Sequence, residues 1–301
     1  MLGPTASGKS EIAIEIAKRC RGEILSVDSM QVYRGMDIGT AKATEAMQAQ
    51  VGHHLLDLVD PEQDMSVAEF QQQGRRVLAE LGERSVPAVI CGGSGLHFRS
   101  LVDPLEFPPN DFAIRAEIDA IDPSEARERL IAADPAVAAY VDLANPRRVS
   151  RALEVLELTG STPSQRASLP TAAAVREYRP LFAFAGVGFD PGPELQNRVT
   201  RRFDRMIEEG LLDEVRRLQP RLGRLAAQAV GYKELLPVVS VDLDLAAGRD
   251  AAIRATRALA KRQRTFFRRD PRIHWVAWDP DPAVRVNAAL DYVDGTTAWT
   301  S

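Results

Sequence analysis

The octapeptide Gly3-Pro4-Thr5-Ala6-Ser7-Gly8-Lys9-Ser10 constrains this chain more than any other stretch, because it meets the phosphate-cradling pattern G-x-x-x-x-G-K-[ST] at every fixed position. Backbone N–H groups can converge on phosphate oxygens only in a tight turn that lets the ligand approach closely. Gly3 and Gly8 permit this, and the helix that follows turns its positive end toward the anion. Lys9 adds a mobile charge, and Ser10 places a hydroxyl where Mg²⁺ would be bound. Ile12, Ile14, Ile16 and Ala17 then supply the apolar side of an amphipathic helix. A ligand with a diphosphate or larger group is implied; nucleotides, diphosphate esters and coenzymes offer the same oxygens, so the loop alone leaves the molecule open. A buried strand normally precedes such a loop. Only Met1 and Leu2 stand before Gly3, so residues of that strand are expected to be missing from the start of this sequence.

With 301 residues, 45% hydrophobic and 27% charged, the chain can bury a sizeable core, as one large domain or one plus an insertion. Cys20 and Cys91 stand far apart with no C-x-x-C spacing, which argues against a disulfide framework or a thiolate zinc site and for a reducing compartment. The His53-His54 doublet lacks ligand spacing. No apolar run approaches the ~18 residues of a membrane span, and no signal peptide is visible, so no membrane association and a cytoplasmic location are expected. The net charge of −4 is unevenly spread: residues 198–272 hold 18 Lys/Arg against 10 Asp/Glu, while residues 1–110 hold 10 against 15. A basic segment in an acidic chain is either a solvated helix face or the footprint of a polyanionic partner.

The pattern after Lys9 predicts a helix to about Cys20, then a buried strand, Glu23 to Val27, that delivers Asp28 to its carboxyl end. Ligands bind at that edge of open α/β sheets. A polar, glycine-containing loop follows through Tyr33, Gly35, Gly39 and Lys42, and His54 to Leu58 reads as another strand. Ser66 and Glu69 form a capping-box pair opening a helix to about Leu81, and Pro87 to Cys91 is a third strand that ends in Gly92-Gly93-Ser94-Gly95. Strands alternating with helices predict a doubly wound parallel sheet. The proline-rich stretch Asp103 to Pro109 marks a boundary. Helices are then expected near Pro123, Pro135 and Pro146, ahead of a Ser/Thr/Ala/Pro-rich stretch to about Tyr178. Leu181 to Phe189 reads as a strand rejoining the sheet, followed by a helix from Pro193 to Gly210 and a long one from about Leu245 to Arg269. The expected division is a catalytic core of residues 1–104 and 179–301 with a helical insertion at 105–178.

Several residue sets could carry chemistry. Asp28 could be a Mg²⁺ ligand, a general base or a turn cap. Arg198 and Arg202 share one helix face, and Arg201 and Arg205 a neighbouring one. Asn145-Pro146-Arg147-Arg148-Val149-Ser150-Arg151 places three arginines at a helix start, against the dipole's preference for acids, which hints at a recruited anion. Lys261-Arg262-Gln263-Arg264-Thr265-Phe266-Phe267-Arg268 mixes basic and aromatic residues as backbone neutralisation and base stacking require, although Phe266 and Phe267 could equally be core.

Together the loop Gly3 to Ser10, Ser26-Val27-Asp28-Ser29-Met30-Gln31-Val32-Tyr33, Gly35-Met36-Asp37-Ile38-Gly39-Thr40-Ala41-Lys42, Asn145 to Ala152, Val230-Gly231-Tyr232 and Lys261 to Arg268 resemble the tRNA dimethylallyltransferase (tRNA isopentenyltransferase) family, bacterial type, in the family's order and over nearly the whole chain. The resemblance implies an α/β fold, a P-loop NTPase-like parallel sheet flanked by helices with an inserted all-helical domain. It also implies transfer of a dimethylallyl group from dimethylallyl diphosphate to N6 of the adenosine immediately 3′ of the anticodon in tRNA. It makes Gly3 to Ser10 the diphosphate cradle, with Mg²⁺ at Ser10; Thr5 and Arg202 are catalytic contacts, and Asp28 is the base that takes a proton from N6. Ser94 stands where the family has a threonine touching substrate. Asp28, Ser29, Met30, Gln31, Ser94, Arg115, Arg147, Arg148, Val149, Ser150, Arg151, Gln228, Ala229, Val230, Gly231, Tyr232, Lys233 and Lys261 to Arg268 match stretches that contact tRNA, and residues 105–178 match an arm on the anticodon stem. A monomer is expected, although nothing in the sequence fixes the oligomeric state. His97 replaces a usual tyrosine and Phe266 a usual tryptophan, so the channel lining differs; the zinc finger of eukaryotic members is absent.

Other readings compete. A small-molecule P-loop kinase would account for the first hundred residues but not the arm or the basic helix. A GTPase switch would want N-K-x-D, which none of Asn110, Asn145, Asn197 or Asn287 begins. A prenyltransferase acting on free adenine nucleotides is the nearest competitor.

Overall fold

The computed structural model describes residues 1–296. By its contacts the chain forms two compact units, one from Met1–Leu101 together with the chain from Phe182 onward, the other from Val102–Leu181.

In the first unit the loop-following helix α1 (Lys9–Cys20) starts at Gly8, whose φ of 78° is left-handed, and buries Ile12, Ala13, Ile14, Ile16 and Ala17. Strand β1 (Glu23–Val27) is buried from Ile24 onward, as expected of a strand covered on both faces. It pairs in parallel with β2 (His53–His54) on one side and β3 (Ala88–Gly92) on the other, with Leu25 opposite Ile90. A second parallel pair joins β4 (Gly186–Phe189) to β5 (Ile273–Val276). Leu2 links the two sets, forming parallel bridges to Gly92 and to Gly188. Its N–H donates to Val187 O at 2.9 Å and its carbonyl accepts Phe189 N–H at 3.0 Å. Leu2 is thus a fully buried rung between β3 and β4, and the loop Gly3–Ser10 springs from the middle of a parallel sheet. Ile12, Ile16, Val187, Phe189, Leu290 and Val293 share the core beneath it. Each such side chain contributes ~1.5–3 kcal/mol by leaving water.

Helix α2 (Glu45–Gln48) is a single capped turn. Helix α3 (Val67–Glu83) carries the expected Ser66/Glu69 capping box, and α4 (Gly95–Val102) follows β3. Two expectations were too long. The strand read from His54 to Leu58 stops at His54 because Leu55 and Asp57 take left-handed backbone, φ 65° and 53°, which breaks an extended run; the pairing resumes only as the Tyr33–Val59 bridge. The strand read from Leu181 begins at Gly186, and Leu181 and Phe182 are exposed, so their apolar character does not mark a core strand.

The second unit contains only helices among its described elements. These are α5 (Phe112–Asp119), α6 (Pro123–Ala133), α7 (Pro146–Thr159), α8 (Pro163–Ala167) and α9 (Pro170–Arg176). Leu130, Val137, Val149, Ala126 and Ala152 form its core. Asp111, Asp122 and Thr162 cap helices through their side chains, whereas Asn145 makes no side-chain cap bond, and Pro135 leads only into a 3₁₀ turn, Val137–Ala139. Leu181 N–H donates to Val102 O at 2.8 Å, so the unit's two ends lie side by side.

The first unit is completed by α10 (Leu195–Glu208), which starts after a 3₁₀ turn rather than at Pro193, α11 (Leu211–Leu218), α12 (Tyr232–Val239), α13 (Leu245–Phe267) and α14 (Pro282–Asp294). No helix among the described residues is long and apolar enough to cross a membrane.

Candidate active site

The loop is shaped by left-handed backbone at Ala6 (φ 61°) and Gly8 and by Gly3 (φ 147°), where a Cβ would stand 2.4 Å from Phe189 O. Ser7 N–H closes a turn on Pro4 O at 3.3 Å, and Thr5 N–H donates to Gln263 Oε1 of α13 at 2.8 Å. The N–H groups of Gly8, Lys9 and Ser10 meet no acceptor among the described residues, which leaves three donors and a helix N-terminus open to an anion. The buried Ser7 hydroxyl also lacks a partner. Lys9 Nζ rests 3.3 Å from Pro4 O, and burial, with Arg202 nearby, holds its ammonium below the ordinary value while Asp28 acts the other way.

Asp28 stands at the carboxyl end of β1, where Oδ1 accepts Met30 N–H at 2.9 Å. The next strand ends beside it: Ser94 N–H donates to Val27 O at 3.0 Å. Ser94 Oγ lies 2.7 Å from His97 Nδ1. Burial against Phe70 drives the His97 pKa down to about 4, with Asp28 opposing, so the ring is neutral near pH 7. From α10, Arg202 reaches the same place. Its guanidinium forms no hydrogen bond or ion pair among the described residues; burial pulls its pKa down and Asp28 pulls it up. A cleft of about 90 Å³ is walled by Thr5, Asp28, Thr40, Arg202, Phe203 and Gln263, among others. Thus the sequence-predicted Thr5, Lys9, Asp28 and Arg202 come together, and Ser94 joins them through the strand end it shares with Asp28.

The other predicted residues separate into exposed and interior ones. Gln228, Lys233, Lys261, Arg262, Thr265 and Phe266 are exposed, and Ser29, Met30 and Val230 half-buried. Gln31 is tied to Ser26 Oγ and to the Thr40 and Ala41 carbonyls. Ala229, Gly231, Tyr232 and Phe267 are buried. Arg264 and Arg268 both ion-pair with the buried carboxylate of Asp190, at 2.6 and 2.9 Å. In the helical unit Val149 and Ser150 are buried. Arg115 and Arg151 both meet Glu154, at 3.2 and 2.9 Å, while Arg147 and Arg148 are exposed.

Three groups were missed. Glu214 accepts N–H bonds from Asp37, Ile38 and Gly39 and the Tyr232 hydroxyl, pinning the loop that forms one cleft wall. Lys42 bridges Asp37 and Asp57, 2.6 Å from each. Arg285 and Trp278 lie behind the loop. Glu214 meets the loop amides across at least 175 residues and Arg285 meets Ser7 across 278, so only a charge on the buried side of its helix could have drawn attention to either; Lys42 has its partners 5 and 15 residues away.

An open amide cradle with a lysine, a carboxylate and an unpaired guanidinium at one sheet edge is the equipment of a group-transfer enzyme that handles a polyphosphate. The model for IPP transferase matches residues 31–270, and that for isopentenyl transferase residues 1–58. A tRNA dimethylallyltransferase of Bifidobacterium longum subsp. infantis is 41% identical over 98% of this chain and 90% of its own, and one of a Nocardioides species is 42% identical over 98% and 95%. The crystal structure of a full-length tRNA isopentenylpyrophosphate transferase from Bacillus halodurans matches with a TM-score of 0.68 and 34% identity, covering 97% of this chain and 95% of that one. The chain belongs to the IPP transferase family.

Proposed function

We propose that this chain transfers a dimethylallyl group from dimethylallyl diphosphate to the exocyclic N6 of the adenosine immediately 3′ of the anticodon in tRNA. The observation that carries this reading, beside family membership, is the meeting of Asp28 and the unpaired Arg202 beside the open amides of the loop. In the reaction the allylic C–O bond breaks, the electron pair leaves on diphosphate, N6 bonds to the allylic carbon, and the N6 proton passes to Asp28. An exocyclic adenine amine is a weak nucleophile, so charge on the leaving group has to be neutralised as it develops. Lys9, Arg202 and the N–H groups of Gly8, Lys9 and Ser10 are aimed at that task, while Asp28 serves as general base. Thr5 and Ser94 orient the two substrates, Ser94 held by its bond to His97.

The fold we take to be P-loop NTPase-like, since the cradle rises from a central parallel rung and leads into α1. Mg²⁺ fits as an ion carried largely by the diphosphate. Ser10 is an exposed residue that brings a hydroxyl to the loop, and no cluster of three His, Cys, Asp or Glu side chains able to hold a metal occurs among the described residues. Bound there, the ion would supply Lewis-acid neutralisation of the leaving group. The exposed Lys261 and Arg262 suit tRNA backbone, Phe266 offers a face for a base turned out of its stack, and Arg147 and Arg148 of the helical unit suit the anticodon stem. A cytoplasmic monomer completes the reading.

The test is transfer to an anticodon stem-loop, with nucleotide rigorously removed. Prenylated adenosine and free diphosphate are expected without ATP, and Lys9→Ala should mainly damage use of the allyl diphosphate. Strict ATP dependence, or labelled phosphate on any acceptor, would promote a kinase; preference for free adenine nucleotides over the stem-loop would move the reaction to a nucleotide prenyltransferase.

A further inference from the structure

Arg285 is 1% exposed, yet among the described residues it has no ion-pair partner. Its Nη1 donates to Ser7 O at 3.0 Å, its Nε has no partner, and Cζ lies 4.3 Å from the Trp278 ring centre. Arg198 repeats the arrangement: Nε donates to Ala6 O at 2.7 Å, and Cζ lies 4.8 Å from the same ring. Both stand against the back of the loop, since a Cβ on Gly8 would be 2.7 Å from Arg285 Nη1 and 3.4 Å from Arg198 Nη2. Glu11, Asp279 and Asp281 are the acidic neighbours of Arg285, and none of them hydrogen-bonds to it.

Two guanidinium groups share one indole, one of them fully buried and neither in a direct ion pair; Glu11, Asp279 and Asp281, and Glu194 beside Arg198, act on them only at a distance, so a further anion close by would be stabilised. The loop offers that anion a place. Ser7 C=O and Gly8 N–H belong to one planar trans peptide, so holding the carbonyl outward on Arg285 turns the unpartnered Gly8 N–H to the opposite side, into the cradle. We propose that Arg285 and Arg198, stacked on Trp278, form an outer cationic layer of the diphosphate site that aims the loop's amides and is itself neutralised when diphosphate binds. This rests on the diphosphate reading given above. Arg285 is accordingly a positioning residue, acting through the Ser7–Gly8 peptide.

The probe is inorganic diphosphate with Mg²⁺, followed by calorimetry and by thermal unfolding with and without the ligand. In R285M the affinity for diphosphate should fall about tenfold or more, and the rise in Tm on adding it should shrink accordingly. The ligand-free Tm should stay at or above that of wild type, because an unpaired buried charge has gone. The KM for the allyl diphosphate should rise while that for the tRNA stem-loop holds, with R285K falling between. R198M, altering a half-buried side chain, should show the same loss of affinity and decides the matter if R285M does not fold. A variant with wild-type diphosphate affinity and a lowered ligand-free Tm would make Arg285 merely structural and overturn the inference alone. A wild-type protein that binds no diphosphate would overturn the reading of the site along with it.

Discussion

Glu214 Oε1 accepts the Gly39 amide at 2.9 Å, across 175 residues of sequence, and the same carboxylate takes the amides of Asp37 and Ile38 and the hydroxyl of Tyr232. Four donors on one buried carboxylate leave no room for an amide in its place. Glu214→Gln sets an NH₂ group against N–H donors and should cost about 1–3 kcal/mol, the usual penalty of a buried polar group left unsatisfied. Denaturant unfolding measures it. Gly39→Ala should be comparably damaging, because the added methyl would stand 2.4 Å from the Tyr232 ring. Wild-type midpoints for both would make the junction incidental.

Asp28→Asn keeps an oxygen for the Met30 amide, so the turn should survive. Transfer is expected to slow by about 10²–10⁴, the size of a lost general base, with diphosphate and tRNA binding retained. Single-turnover rates decide; turnover near that of wild type would leave Asp28 a turn cap.

In the helical unit the arginines differ in what holds them. Arg147 and Arg148 are exposed, Arg148 with only a 3.7 Å pairing to Asp142, so replacing both with Gln should weaken tRNA binding and lower the salt slope by roughly one per phosphate contact. Arg151 is tied to the buried Glu154 and to the Pro108 and Pro109 carbonyls, so its loss should show chiefly as lower stability of that unit. An unchanged slope in the double variant would take these two arginines off the RNA.

His97 gives stability a pH dependence of definite sign. Its folded pKa of about 4 lies below the ordinary value of 6.5, so between those limits the unfolded chain binds the proton and the folded one does not. Its contribution is present above pH 6.5 and is lost as pH falls toward 4, by up to about 3 kcal/mol. His97→Phe should flatten that part of the stability curve while freeing the Ser94 hydroxyl. A wild-type curve that is level from pH 7 to 4.5 would contradict the buried neutral imidazole.

Local signals were legible and long-range ones were not. Gly3 and Gly8 announce the loop because their spacing is itself the geometry, and the Ser66/Glu69 box is written within four residues. Asp28 could be placed because a short buried strand has only one carboxyl end. The strand past His54 was misread because the apolar character of Leu55 and Leu58 does not reveal the left-handed backbone at Leu55 and Asp57. Arg264 and Arg268 resemble nucleic-acid ligands in sequence, and nothing local marks Asp190, more than seventy residues away, as their partner. Arg285 reaches Ser7 across 278 residues, a contact that only the folded sheet creates.

The bond from Leu181 to Val102 means that the sheet experiences some eighty intervening residues as a single closed turn. Closing a longer loop adds entropy only as the logarithm of its length, so that segment can grow, shrink or be exchanged with little effect on the stability of the rest. A version bridged directly from Val102 to Leu181 by a short glycine linker would then keep a folded, diphosphate-competent enzyme core. Changes of length and sequence in the helical unit can thus accumulate while the loop Gly3–Ser10 keeps its place in the sheet.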